Sequence, residues 1–132
     1  MEATQVLNRS VVSVGDVEAV DFPWGRIKWL MNAKLDAEAE QTLGLVFINP
    51  GDTNDLHVHP NCEELLFVAS GQCDHRLGED VFPMREGELI RIPAGVAHNA
   101  TNTGWEPVRM VIAYSSGERR TELLAAAEPC SA

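Results

Sequence analysis

Residues 51–71 read GDTNDLHVHPNCEELLFVASG, and residues 87–102 read GELIRIPAGVAHNATN. In both stretches a short apolar or alternating run is bounded by glycine or proline, which is the pattern of short β-strands. His57 and His59 are two positions apart, so on a strand both imidazoles lie on one face, whereas on a helix they would diverge. The first stretch therefore predicts a strand that presents two histidines to a common point.

A carboxylate and a third histidine follow these two residues. Glu63 and Glu64 open the next predicted strand and must face opposite ways, so only one of them can join the histidine pair. His98 begins a further strand, three residues after Gly95. Three neutral imidazoles and one carboxylate suit a first-row ion such as iron, manganese, nickel, zinc or cobalt. One divalent transition metal is therefore the expected cofactor.

The pattern of short strands extends over the rest of the chain and predicts an all-β sandwich or barrel. Residues 32–41 could form a helical turn or a long loop, and a loop is expected because their apolar residues repeat every two positions between mostly acidic spacers. Residues 121–128 are expected to form a short helix or to fray, and residues 78–80 a hairpin turn. Strands are predicted over residues 26–31, 42–48, 56–59, 64–69, 72–77, 89–92 and 108–114.

Composition limits the partners. The chain has 132 residues, of which 45% are hydrophobic and 23% charged, as is usual for a globular domain. Ten basic against twenty acidic residues give a net charge of −10, which repels nucleic acid and anionic membranes. Three unpatterned cysteines and the lack of an export signal favour a reducing cytoplasm. A cytoplasmic protein with a small-molecule ligand, no nucleic-acid partner and no membrane partner is expected.

The two motif stretches together resemble the cupin family. The first family motif, G-x5-H-x-H-x3-4-E-x6-G, is matched by Gly51, His57, His59, Glu64 and Gly71. The second, G-x5-P-x-G-x2-H-x3-N, is matched by Gly87, Pro93, Gly95, His98 and Asn102. The resemblance implies a double-stranded β-helix, or jelly-roll, barrel that is usually a homodimer. It also implies one metal ion, held by His57, His59, Glu64 and His98, and it selects Glu64 over Glu63 as the ligand.

The same resemblance sets the expected domain organisation. Residues 1–132 are expected to form a single cupin domain with its motif core at 51–102. Residues 1–20 would form an N-terminal strand or arm, and residues 118–132 a C-terminal tail.

The resemblance further implies a metal-dependent enzyme, either a dioxygenase, an isomerase or a lyase. Its substrate would be a small oxygenated metabolite such as a sugar, a sugar acid or another carboxylate. Four protein ligands on an octahedral ion leave two positions for water and substrate. Glu64 and Glu63 are the candidate catalytic proton acceptors. The alternative is a non-catalytic barrel that binds a small ligand or serves a structural role.

Two further residues are candidate substrate contacts. Arg91 interrupts an apolar strand, and its planar guanidinium could bind a substrate carboxylate bidentately. The alternative for Arg91 is an outward side chain paired with one of the many surface acids. Tyr114, at the end of the last strand, could line the pocket above the metal, or it could belong to the core or to a dimer interface.

Overall fold

The computed structural model describes residues 10–124, which form two antiparallel sheets packed face to face. This arrangement confirms the predicted all-β, jelly-roll barrel. After a 3₁₀ turn at Val14–Asp16 the elements are β1 Val20–Phe22, β2 Gly25–Met31, β3 Thr42–Ile48, β4 His57–Val58, β5 Glu64–Ser70, β6 Gln72–Leu77, β7 Asp80–Arg85, β8 Leu89–Ile92, β9 His98–Asn102, β10 Val108–Tyr114 and β11 Glu122–Leu123.

The larger sheet has six strands in the order β1-β2-β3-β10-β5-β8, and the smaller has five in the order β11-β4-β9-β6-β7. The two motif stretches therefore contribute strands to both sheets. β5 and β8 lie side by side in the larger sheet, while β4 and β9 are neighbours in the smaller one. Side chains that face inward from these four strands consequently approach one another across the barrel.

The period-two alternation of the strands decides which side chains reach the interior. In β10, Val108, Met110 and Ile112 are buried on one face, and the same alternation brings Tyr114 inside. In β5 the buried positions Leu66 and Val68 continue the face that begins with Glu64. The inward faces of β5 and β10 thus carry apolar core residues along most of their length and the polar side chains of Glu64 and Tyr114 at one end.

The four motif glycines have left-handed backbone conformations, with φ of 82° at Gly51, 89° at Gly71, 91° at Gly87 and 79° at Gly95. Residues with a Cβ rarely adopt this conformation. At Gly71 a Cβ would also lie 3.0 Å from the Cα of Val108. These glycines set the corners that place the ligand-bearing strands.

Three strands are additional to those predicted. β7 contains Pro83, which lowers its strand signal, but β7 is the edge of the smaller sheet, where a missing backbone N–H is tolerated. β1 is a short edge strand of the larger sheet. β11 lies where a helix or frayed end was expected, so that prediction is wrong for the described part, and residues 125–128 lie outside the described residues.

The other local predictions agree with the structure. Residues 32–41 contain turns and no helix or strand, as expected for a loop. The predicted turn joins β6 to β7 through Gly78 and Glu79. The predicted strand at 56–59 is shorter than expected, because only His57 and Val58 pair as β4. Within residues 10–124 no helix is long and apolar enough to cross a membrane.

Candidate metal centre

Three histidines and one glutamate converge inside the barrel. His57 on β4 pairs directly with His98 on β9, and His59 follows β4 immediately. Glu64 enters from the first position of β5 in the opposite sheet. One potential ligand atom from each residue lies within 4.8 Å of the others. His59, Glu64 and His98 are buried, and His57 is partly buried.

The imidazole rings are oriented by backbone carbonyls. The Nδ1 atoms lie 2.6 Å from the Asp55 oxygen for His57, 2.9 Å from the Arg120 oxygen for His59, and 2.9 Å from the Val96 oxygen for His98. A carbonyl can only accept, so each Nδ1 carries a proton, and Nε2 has its lone pair free for a metal when the ring is neutral. Such an outer hydrogen bond is the usual support of a metal-binding histidine.

The carboxylate of Glu64 faces two of these nitrogens. Its Oε1 lies 3.0 Å from Nε2 of His98 and 3.4 Å from Nε2 of His59. When the rings are neutral, these three atoms are all acceptors, and a shared cation between them would satisfy them. The Nε2 atom of His59 is buried without a hydrogen-bond partner. A buried orphan acceptor beside a carboxylate is the arrangement that a bound metal ion would satisfy, so the residues present fit a metal.

The ionisation of the site agrees with this assignment. Burial, reinforced by the neighbouring His98, lowers the pKa of His57 to about 4, so the ring is neutral near pH 7. Burial alone would raise the pKa of Glu64, but hydrogen bonds from His59 and His98, and the positive charge of these rings when they are protonated, lower that pKa to about 2. A neutral imidazole and an ionised carboxylate are the forms that bind divalent metals.

The four residues line one wall of a cavity of about 180 Å³ between the sheets. Most of the remaining wall is apolar and includes Trp24, Trp29 and Leu66. The polar members, apart from the candidate ligands, are Asn54, Asp55, His75, Asn99, Tyr114, Arg119 and Thr121. The site therefore opens onto a space in which a small molecule could reach both the candidate metal position and several polar side chains.

Tyr114 lies in this cavity. It is opposite Glu64 in the register of β10 and β5, and its ring centroid is 4.9 Å from that of His59. Burial, with a further contribution from the Glu64 charge, raises the pKa of its phenol well above the usual value. The phenol is therefore neutral and keeps its O–H as a hydrogen-bond donor.

The candidate proton acceptor Glu63 and the candidate substrate contact Arg91 lie elsewhere. Nε of Arg91 is 3.1 Å from Oε1 of Glu63, and the two side chains are 61% and 41% exposed, respectively. Neither residue lines the cavity. The structure therefore agrees with the alternative stated for Arg91, an outward arginine paired with a surface acid. The predictions of Arg91 as a substrate anchor and Glu63 as a proton acceptor are corrected accordingly.

Arg91→Gln is expected to leave the metal content unchanged and to shift the free energy of unfolding by less than about 1 kcal/mol, because exposed ion pairs contribute little. Metal analysis and thermal denaturation beside wild type check this. Loss of metal binding or of ligand binding in the cavity by Arg91→Gln would contradict this prediction and would show that Arg91 contributes to the site.

The segment that follows β10 was not anticipated as part of the site. We call residues 115–124 the site strap. Two hydrogen bonds connect the strap to the first motif. The side-chain amide of Asn61 donates to the Glu118 carbonyl at 2.8 Å, and the backbone N–H of Arg120 donates to the side-chain oxygen of Asn61 at 2.9 Å. β11 within the strap then pairs with β4. Residues 118–124 are therefore not a tail, and residues 125–132 lie outside the described residues.

The strap also supplies Arg119 to the cavity. Its connection to the metal centre joins residues about sixty positions apart, for instance His59 and Arg120. No spacing rule relates such residues, so the sequence offered no signal that could have found Arg119.

His75 is a further buried residue of the cavity wall. Its ring stacks on that of His98, with centroids 6.0 Å apart and planes at 12°. It is not part of the group of ligand atoms that could hold a metal, and residues 10–124 contain no second such group.

Comparison with known proteins agrees with the fold and the site. A family model described as Cupin domain matches residues 44–114. Polyketide synthase CurC of Streptomyces cyaneus is 30% identical over 105 residues, which are 80% of this chain and 68% of that protein. Protein SchB of Streptomyces halstedii is 28% identical over 101 residues, 76% of this chain and 73% of that protein.

Among solved structures, the oxalate decarboxylase formate complex of Lactobacillus farciminis superposes with a TM-score of 0.77 at 22% identity. The match covers 87% of this chain and 36% of that one, so this chain spans about a third of the decarboxylase and shares its fold. The family model, the relatives and the convergent site agree, and the chain belongs to the cupin family.

Proposed function

We propose that this protein is a metal-dependent enzyme acting on a small oxygenated metabolite. The observation that carries the proposal is the set of three oriented imidazoles and one ionised carboxylate that opens onto a cavity. His57, His59, Glu64 and His98 would hold the ion. A divalent metal bound there would act as a Lewis acid toward the oxygen atoms of a ligand.

The open wall favours catalysis over a purely structural metal. Structural sites are usually closed by protein ligands, whereas catalytic sites keep positions for water and substrate. Here the ligand group borders a space that also receives the side chains of Asn54, Asn99 and Tyr114. Polar groups that converge above a metal are expected of an active site.

Two residues are proposed to act on the substrate directly. Tyr114 would donate a hydrogen bond from its buried phenol to a substrate oxygen. Glu64 would serve as a ligand and would accept a proton when its carboxylate moves off the ion. The position of Tyr114 opposite Glu64 supports both roles, because one bound molecule could contact the two side chains.

The name of one relative supports the substrate class. CurC of S. cyaneus bears the name polyketide synthase, and polyketides are carbon skeletons rich in oxygen. We propose a substrate of this general kind, with adjacent oxygen atoms for the metal and an apolar body for the walls formed by Trp24 and Leu66.

A non-catalytic ligand-binding barrel is the second candidate. The observation in its favour is that the cavity walls are mostly apolar, which suits retention of a ligand without chemistry. This candidate and the enzyme share the metal centre and differ only in what happens to the bound molecule.

The test loads metal-free protein separately with Fe(II), Mn(II), Ni(II), Zn(II) and Co(II). Bound metal is then measured, and each form is incubated with oxygenated acids and enols, with and without dioxygen. Conversion that depends on one metal and is lost in His57→Ala supports the enzyme. Ligand binding without conversion in every metal form favours the second candidate. Failure of all five ions to bind would refute both.

We also propose a cytoplasmic homodimer with residues 1–132 as one domain. The two buried free cysteines, Cys62 and Cys73, support a reducing compartment.

The proposed dimer rests on an exposed apolar surface. Leu65, Phe67 and Leu89 are exposed side chains on neighbouring strands β5 and β8, and a second copy could cover them. Light scattering at several concentrations tests the dimer.

A further inference from the structure

Among residues 10–124, Arg119 is the one arginine that lines the cavity of the metal centre. It lies in the site strap between Glu118, whose carbonyl is held by Asn61, and Arg120, whose carbonyl orients His59. Backbone bonds on both sides therefore fix where Arg119 enters the cavity. Its direction is set by the same segment that positions a candidate metal ligand.

Two aromatic rings hold the guanidinium. Its central carbon lies 4.3 Å from the ring centroid of Trp29 and 5.4 Å from that of Tyr114. A guanidinium over an aromatic face is attracted by the ring without using its N–H groups, which stay available to an acceptor. The Trp29 and Tyr114 rings thus orient a donor edge without using its hydrogen bonds.

The charge of Arg119 has no carboxylate partner among residues 10–124, and its buried Nε makes no hydrogen bond there. Arg26 and Arg91 are paired with Asp21 and Glu63, whereas Arg76, Arg85, Arg109 and Arg120 also lack a carboxylate partner in this range. What distinguishes Arg119 among the described arginines is the burial of its unpartnered Nε. A buried donor without a partner is costly, and an anionic ligand would remove that cost.

The space between Arg119 and the metal centre limits the ligand. The Tyr114 ring lies beside both, 4.9 Å from His59 and 5.4 Å from the guanidinium carbon. The cavity volume is about 180 Å³, and a cavity of about 150 Å³ can hold benzene. A molecule with roughly one ring could therefore fill the cavity and reach Arg119.

We infer that Arg119 is a substrate-binding residue that selects a carboxylate on a ring-sized, oxygenated acid. The carboxylate accepts the guanidinium N–H edge, the ring lies against the apolar walls, and the remaining oxygens face the metal centre. This inference rests on the proposed function for the role of those oxygens. The inference goes beyond the proposed function because it specifies that the substrate has a carboxylate and that Arg119 binds this group.

The test compares benzoate with benzamide, which has the same shape without the charge. Binding is measured by ligand-observed NMR titration in wild type, Arg119→Gln and Arg119→Lys. Arg119→Gln is expected to weaken benzoate about tenfold or more, since hydrogen bonds to charged groups are among the stronger ones. Benzamide binding is expected to change little, and Arg119→Lys to retain part of the benzoate affinity because it keeps the charge.

The matched control is Arg109→Gln, which removes the same charge from an exposed position on β10. It is expected to leave both affinities at the wild-type level. Equal loss of benzoate and benzamide in Arg119→Gln would mean that the residue only braces the strap. Unchanged benzoate affinity in Arg119→Gln, or no benzoate binding by wild type, would also overturn the inference.

Running the titrations on metal-free and metal-loaded protein separates this inference from the proposed function. Dependence of benzoate binding on Arg119 in both forms supports the inference even if no metal-dependent reaction is found. If wild type bound benzoate no better than benzamide, the role of Arg119 would be refuted. If Arg119→Gln still bound metal in that case, the proposed metal centre would stand.

Discussion

His98→Ala is expected to abolish metal binding while the barrel stays folded. The substitution removes one of four converging ligand atoms and leaves Glu64 opposite a space. Loss of residues that merely support a ligand costs tenfold to about a hundredfold in metal affinity, so loss of a ligand should cost more. The apolar core of Ile48, Val68 and Val108 does not depend on the ion. Elemental analysis and thermal denaturation give the two readouts.

His75→Gln is the matched control for this experiment. His75 is also a buried histidine of the cavity and stacks on His98, but it is not among the grouped ligand atoms. It is expected to keep wild-type metal content. Full metal occupancy in His98→Ala, or equal loss in both variants, would contradict the assignment of the ligands.

Asn102→Ala is expected to produce the largest loss of stability among single substitutions near the site. Asn102 is 1% exposed, and its amide donates at 2.8 Å to the carbonyls of both Ile48 and Glu106. Its side-chain oxygen accepts from Gly104 N–H, also at 2.8 Å. Removing it leaves buried groups without partners, which should cost about 3 kcal/mol in the free energy of unfolding.

Chemical denaturation of Asn102→Ala beside Asn99→Ala checks this value. Asn99 donates one part-buried side-chain bond, to the Asn54 carbonyl at 3.1 Å, so its removal should cost only about 1 kcal/mol. If Asn102→Ala were no more destabilised than Asn99→Ala, the buried hydrogen bonds of Asn102 would not stabilise the fold to the extent predicted.

The residues that could be predicted from the sequence are those fixed by local spacing. His57 and His59 share a face because a strand has a period of two, and the motif glycines have the positive φ that the corners need. The period of the strand does not choose between Glu63 and Glu64, since either could face inward, and the choice of Glu64 came from the family motif. It follows in the structure from β5, which buries Glu64 with Leu66 and Val68.

The outward direction of Arg91 could also have been read from alternation. Ile90 and Ile92 are buried on β8, so the residue between them must face the other way. The bidentate chemistry of arginine favoured a substrate role, but the geometry of the strand excludes it from the cavity. Local alternation was the stronger evidence.

The site strap could not be predicted, because its links to the first motif span long stretches of chain. Its pairing with β4 and its bond to His59 are set by tertiary packing rather than by any repeat in residues 115–124. Arg119 therefore becomes visible only once the strap is placed beside Trp29 and Tyr114.

Anomalous X-ray scattering from a crystal of metal-loaded protein tests the central claim most directly. The account predicts a single strong peak inside the barrel, about 2.0–2.2 Å from Nε2 of His57, His59 and His98 and from a carboxylate oxygen of Glu64. A peak at another position, or coordination that omits any of these four side chains, would contradict it.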